Sequence, residues 1–224
     1  MKKIAIVGAG GFGQEVFCIW RDMLRAQNTK YEFIGFFDDA PGLLKNNFGK
    51  IVGTVEQLNI IDYPLEVAIA IGTPKHIFTV KQLINNNYLI FPNIIHLTVQ
   101  FLGKDSINIG HGNIFALNTI ISCNTKIGDF NVFNTRVTLG HDNLVGDYNV
   151  FSPNVQISGN VHIGNLNLLG FNSGIIQNKK MGNENTLGVG SILLRSIKDE
   201  GLYIGNPAIK VKFAVDRKSH MLKK

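Results

Sequence analysis

Residues 127–146 read Ile-Gly-Asp-Phe-Asn-Val-Phe-Asn-Thr-Arg-Val-Thr-Leu-Gly-His-Asp-Asn-Leu-Val-Gly, and every sixth residue, Ile127, Phe133, Leu139 and Val145, is apolar. The same register runs on in both directions through Ile109, Phe115, Ile121, Phe151, Ile157, Ile163, Leu169, Ile175, Met181, Leu187 and Leu193, fifteen positions without a break. Against a hydrophobic background of 45%, chance produces such a run roughly once in 10⁵ trials. The next residue is small in every hexad except those with Asn134, Ile176 and Leu194. One large side chain per six residues points inward, and its small neighbour lets the backbone bend. Three hexads then close a triangular coil of about 18 residues, and such coils stack at about 4.8 Å. Each coil buries its apolar residues only between neighbours. Five coils fit between Ile109 and Arg195.

Residues 1–96 have a different rhythm. Lys3–Val7 is an apolar run entering Gly8-Ala9-Gly10-Gly11-Phe12-Gly13, and Val16, Trp20 and Met23 follow at helical spacing. Phe33–Phe37 reads as a second strand ending at Asp38-Asp39, and Leu65–Ile71 as a third closed by Gly72. Pro74 opens a helix carrying Ile77, Val80 and Leu83, and Leu89–Ile95 reads as a fourth strand. Strands alternating with helices imply a small parallel sheet with covered faces. The expected organisation is a Rossmann-like α/β domain over 1–96, then the coils and a tail over 97–224.

Composition narrows the function classes. Charged residues make up 17%, and Gly is plentiful at 24, as a chain with many tight corners requires. The apolar run after Met1-Lys2-Lys3 is too short for a signal peptide. No stretch reaches the roughly 18 to 20 apolar residues of a membrane span, so a cytoplasmic protein is expected. Cys18 and Cys123 support neither a disulfide framework nor a thiolate metal site. The net charge of +6 suits polyanionic small molecules. Part of it lies in a basic tail (Lys210, Lys212, Arg217, Lys218, Lys223, Lys224) without the interleaved aromatics of a nucleic-acid-binding stripe. His76, His96, His111, His162 and His220 lack metal-ligand spacing and read as surface or capping residues; no metal is expected.

His141 stands apart. As the third residue of its hexad it points outward, and its neighbours three hexads away on either side, Cys123 and Gly159, are small. That leaves room for a substrate above and below the imidazole, and Asp142 follows directly.

Over nearly its whole length the sequence resembles the NeuD/PglD-type sugar acetyltransferases, which include sialic acid O-acetyltransferases and bacillosamine and perosamine N-acetyltransferases. The resemblance rests on five features in order: the glycine-rich turn, Gly35-Phe36-Phe37-Asp38-Asp39, Phe91 to His96, Phe133 to Asp142, and Gly205-Asn206-Pro207-Ala208. It implies a left-handed parallel β-helix of hexapeptide repeats that forms a homotrimer and binds acetyl-CoA between subunits. It also implies an N-terminal domain that holds a nucleotide-linked sugar through Gly8, Gly10, Gly11, Phe12, Gly13, Asp38, Asp39 and Gly72. His141 becomes the general base, supported by Asp142, with Asn134 (beside Thr135) a hydrogen-bonding residue of the active site; an asparagine ladder is the alternative for Asn134. Gly170, Ser173, Gly188, Ser191 and Pro207 match the segments that line the CoA groove. Phe12 stands where the family often has His, which leaves the particular sugar open.

The expected reaction is N-acetylation of a nucleotide-linked amino sugar for surface-glycan synthesis, with O-acetylation of a sialic acid-type sugar and a non-catalytic nucleotide-sugar scaffold as alternatives. A nicotinamide enzyme fits less well. That chemistry needs an acid about 20 residues beyond the glycines, and Asp38 lies 30 after Gly8.

Overall fold

A computed structural model describes residues 1–211; the basic tail from Lys212 onward and His220 lie outside the described residues. The first domain is a five-stranded sheet with order β3-β2-β1-β4-β5. Its strands are β1 (Lys2–Val7), β2 (Tyr31–Phe37), β3 (Ile51–Gly53), β4 (Leu65–Ile69) and β5 (Leu89–Ile90). All pairings are parallel. Helix α1 (Gly11–Ala26) buries Val16, Ile19, Trp20 and Leu24, and α2 (Pro74–Leu83) buries Ile77. The glycine-rich turn is set by close packing. A Cβ on Gly13 would fall on the Gly8 carbonyl oxygen, and Gly8 itself has φ +97 with the Ala70 carbonyl against it.

Two expectations are corrected. The sheet has a further short edge strand, β3, beyond the four read from the sequence. Leu89–Ile95 is not one strand: Leu89–Ile90 joins the first sheet, while Ile94–Ile95 pairs with Ile114–Phe115 and opens the coils. The first coil is longer than three hexads, pairing Ile94 with Ile114 and Gln100 with Ile120, because a turn of 3-10 helix at Lys104–Ser106 adds length. That irregularity hides it from a six-residue count.

From Ile109 to Leu193 the register is unbroken. Every pair joins positions three hexads apart, in three parallel sheets that form the faces of a prism. Fourteen of the fifteen hexad residues are buried, Ile109 being half-buried at the end of the stack. Phe115, Phe133 and Phe151 stack inside it at 4.7 Å between ring centres. An asparagine ladder does exist, at Asn113, Asn131, Asn149 and Asn167 rather than at Asn134, each amide bonding the one a coil away.

The corners between faces turn through left-handed residues, among them Asn118, Asn124, Arg136, Asp142, Asn154, Asn160, Asn172 and Asn178. The third corner, with Phe130, Tyr148 and Glu184, faces the first domain. There Phe130 meets Phe91, Tyr148 meets Phe78, and Glu184 pairs with Lys75 at 2.7 Å. One apolar core runs across the junction, from Trp20 and Ile94 to Ile114, Val132 and Val150. Among the described residues no helix is long and apolar enough to cross a membrane.

Candidate active site

The strand Thr138–Leu139 ends at a corner where Gly140 passes flush against the next coil: a Cβ there would meet Ser158 backbone at 2.8 Å. Asn143, fully buried, clamps this corner. Its Nδ2 donates to the Gly140 carbonyl at 2.8 Å, and its Oδ1 accepts from the Val161 N–H at 2.7 Å. The turn therefore presents His141 outward, with 62% of its side chain exposed. Its Nδ1 lies 2.6 Å from Asp142 Oδ2. Asp142 adopts φ 59, a conformation that short polar side chains tolerate. Asn124, one coil below, donates to Asp142 Oδ1 at 3.0 Å. These hydrogen bonds, from His141 first and Asn124 second, hold the Asp142 carboxyl below its usual range. An ionised carboxylate on Nδ1 keeps the proton there, which leaves the Nε2 lone pair free to accept one.

Gly159 borders that lone pair. A Cβ at this position would stand 2.6 Å from Nε2 and 2.7 Å from Cε1. The backbone of Gly159 is open to any residue, and the obstructing group is the end of a mobile side chain. Gly159→Ala is therefore expected to keep thermal stability within about 0.5 kcal/mol while displacing the ring. Such misplacement costs about 10²-fold in rate, measurable as kcat/KM alongside a melting curve. An unchanged kcat/KM would mean that the ring position carries no catalysis.

Asn134 lies elsewhere. Its Nδ2 donates to the Phe151 carbonyl at 2.9 Å, so the side chain fastens one coil to the next. Within one chain the strand Thr138–Leu139 separates it from the His141 corner. Thr135 borders a cleft of about 430 Å³ between α1 and the lower coils.

In the first domain, β1, β2 and β4 end around a smaller cleft of about 290 Å³, lined by Gly8, Asp38, Asp39, Ile71, His76 and Val80 among others. It opens where the chain order reverses across β1, the usual ligand crevice of such sheets. Asp38 braces it: Oδ2 accepts from the Ala9 N–H at 2.6 Å and Oδ1 from the Ala40 N–H at 2.8 Å. Asp39 Oδ1 accepts from the Val55 N–H at 2.9 Å. Helix α1 begins without a side-chain cap or an acidic residue in its first turn, so its first N–H groups are available to an anion. Gly10, Gly11 and Gly72 face open space, whereas Phe12 is half-buried against the core. His76 carries no signal in the sequence; only the approach of α2 to the strand ends brings it into this cleft.

The groove residues divide in two. Gly170 and Gly188 sit close under the next coil, where a Cβ would meet Val189 and Ile204 within 3 Å. Ser173 and Ser191 are buried, and the Ser191 hydroxyl accepts from the Gly205 N–H at 2.9 Å, so these side chains shape the wall from inside. Pro207 is exposed at the far end of the stack. Between them run the outward apolar residues Phe171 and Val189. Among the described residues no three His, Cys, Asp or Glu side chains converge as a metal would require.

Comparison with known proteins follows this geometry. Residues 3–76 match the family model described as the PglD N-terminal domain. Among curated proteins no sequence matches the chain. The acetyltransferase domain of PglB from Neisseria gonorrhoeae FA1090 superposes with a TM-score of 0.81 at 26% identity, over 94% of this chain and 100% of that one. The same domain in complex with acetyl coenzyme A superposes with the same score and identity, over 94% and 99%. PerB from Caulobacter crescentus, in complex with CoA and GDP-perosamine, has a TM-score of 0.78 at 23% identity over 95% and 98%. Residues 3–76 thus match the PglD N-terminal domain, and the chain as a whole shares the two-part fold of the PglB acetyltransferase domain.

Proposed function

We propose that this chain is an acetyl-CoA-dependent N-acetyltransferase acting on a nucleotide-linked amino sugar in surface-glycan synthesis. The observation that carries the reading is the free Nε2 of His141, with Nδ1 held by Asp142 and with Gly159 leaving space beside the ring. As the amine attacks the thioester carbonyl, Nε2 takes its proton, and the resulting imidazolium is stabilised by Asp142. When the tetrahedral adduct collapses, the C–S bond breaks and the same proton passes to the departing CoA thiolate. No covalent enzyme intermediate is required, because the two substrates need only alignment.

In this reading the N–H groups at Gly10 to Gly13 receive the nucleotide phosphates, while Asp38, Asp39 and Gly72 border its ribose and base. The pantetheine arm of CoA lies along the corner of Gly170 and Gly188, with Pro207 towards the adenine end. A homotrimer fits the geometry. Asn134 and His141 stand on different corners of one chain, so a second copy is needed to bring them into one site. The face between those corners supports this, since its outward residues Ile120, Thr138, Gln156, Gly174 and Ile192 carry no charge.

The test is thiol release from acetyl-CoA with a panel of UDP-, dTDP- and GDP-linked amino sugars and free sialic acid, read beside light scattering. Turnover with one amino sugar, by a particle about three times 24.7 kDa, is the expected result. Turnover with sialic acid alone would move the reaction to O-acetylation. Failure to bind acetyl-CoA would end the transferase reading, and a monomer would end the intersubunit site.

A further inference from the structure

The last coil of the β-helix is cut short at one corner. Ile175 pairs with Leu193, but Met181 bridges Ile197, so the chain between them is two residues shorter than in the coil below. The shortened corner is the one that carries His141. Along it, one coil apart, stand His141, Gly159 and Gln177, and Arg195 alone closes the end. Arg195 adjoins Ser196, whose Oγ accepts from the Lys180 N–H at 2.9 Å. The shortening also uncovers Lys179. Its place is fully buried in the coils below, as Thr125, Asn143 and Val161, whereas Lys179 is only half-buried. With Lys180 it lines a concavity of about 80 Å³ shared with Asn160, His162 and Asn178.

Three cations thus meet at one end of one corner. Lys180 and Arg195 are exposed, and among the described residues none of the three has an ion pair. The acids that follow, Asp199 and Glu200, belong to the next corner, where both bond to Asn183. Like charges gathered without counterions repel one another, and a polyanion relieves that cost.

Distance and the opposite wall say which polyanion. Three coil steps of about 4.8 Å place Arg195 about 14 Å along the stack from His141. An extended pantetheine arm spans about 15 Å from its sulfur to the nearer phosphate. The wall proposed above for that arm, from Phe171 and Asn172 through Val189 and Gly190 to Asn206 and Pro207, carries no charge. The next cation beyond it, Lys210, is turned away and donates to the Glu200 carbonyl at 2.9 Å. Neutralisation of the phosphates then falls to the corner across the groove.

We propose that Lys179, Lys180 and Arg195 bind the phosphate groups of the acetyl-CoA whose thioester lies at His141 of the same chain. The lysines act as point charges, and the guanidinium can grip two phosphate oxygens at once. The proposal rests on the transferase reading and assigns residues to the donor end of its site. Titration calorimetry of the full chain, with acetyl-CoA and acetyl-dephospho-CoA as probes, tests it. Lys180→Gln and Arg195→Gln alter exposed positions and should melt with the parent. Each should bind acetyl-CoA about fivefold more weakly, and the double variant about 20-fold, with the difference shrinking as salt is raised. Lys104→Gln, which removes an exposed charge from the first coil, should bind as the parent does and so separates a site from an effect of net charge. A loss seen with acetyl-CoA but not with acetyl-dephospho-CoA assigns the cluster to the 3′-phosphate, and an equal loss assigns it to the diphosphate. Parent-like affinity in the double variant, or the same loss in Lys104→Gln, would overturn the proposal and leave the transferase reading intact. A parent chain that binds no acetyl-CoA would end the transferase reading, and this proposal with it.

Discussion

Replacing His141 with alanine is expected to lower kcat/KM by about 10³-fold, within the range that general bases contribute, while the melting temperature stays that of the parent. The side chain is 62% exposed and packs into no core, so the loss belongs to chemistry and not to folding. Asp142→Asn should also be severe, between about 10² and 10⁴, because an amide no longer fixes the tautomer or stabilises the imidazolium. The pH dependence follows from the depressed carboxyl. A group whose pKa is lowered keeps its ionised contacts above the ordinary carboxylate range and loses them only as pH falls through the lowered value. Asp142 is therefore charged throughout the range from about pH 5 to about pH 8 and contributes no acid limb there. A His141→Ala enzyme that retained the parent rate and pH profile would remove the base from this corner altogether.

The largest stability effect is expected at Phe133, whose ring lies between Phe115 and Phe151 with interplanar angles of 6° and 11°. Phe133→Ala removes the middle of the stack, and neighbouring coils are held apart by their ladder hydrogen bonds, so the cavity cannot collapse. The cost should be about 3–5 kcal/mol, read as a shift in the denaturation midpoint. Phe133→Leu, which refills most of the volume, should cost under about 1.5 kcal/mol. A loss for alanine below about 1 kcal/mol would mean that the stack is not the structural spine of the prism.

The prism is legible because its information is local. Inward, bend and outward positions repeat every six residues, and no distant contact is needed to read Ile109 to Leu193. The ends escape the same count for an equally local reason. Lys104–Ser106 lengthens the first coil, and beyond Leu187 the last turn falls short of three hexads, with Thr186 facing Leu202. Edge strand β3, only Ile51–Gly53, carries too little pattern to announce itself. At the site, His141 and Asp142 are readable as neighbours in sequence, and Gly159 by stepping one full coil. The same step from Asp142 reaches Asn124, so that partner too lies within the arithmetic of the repeat. The bracing roles of Asp38 and Asp39, and the place of His76, depend on how separate elements approach. No periodicity encodes that.

The uninterrupted core between α1, Ile94 and Val150 sets one further property. Two bodies joined through a flexible linker close around a ligand by swinging, and their span adapts to what they hold. Here one buried apolar cluster continues through the junction, so the span from the Gly8 cleft to the coil corners is fixed when the chain folds. On the function proposed above, the molecule then works as a gauge: an acceptor would be admitted by the distance between its nucleotide and its reactive group, and one built shorter or longer would find no conformation waiting to fit it.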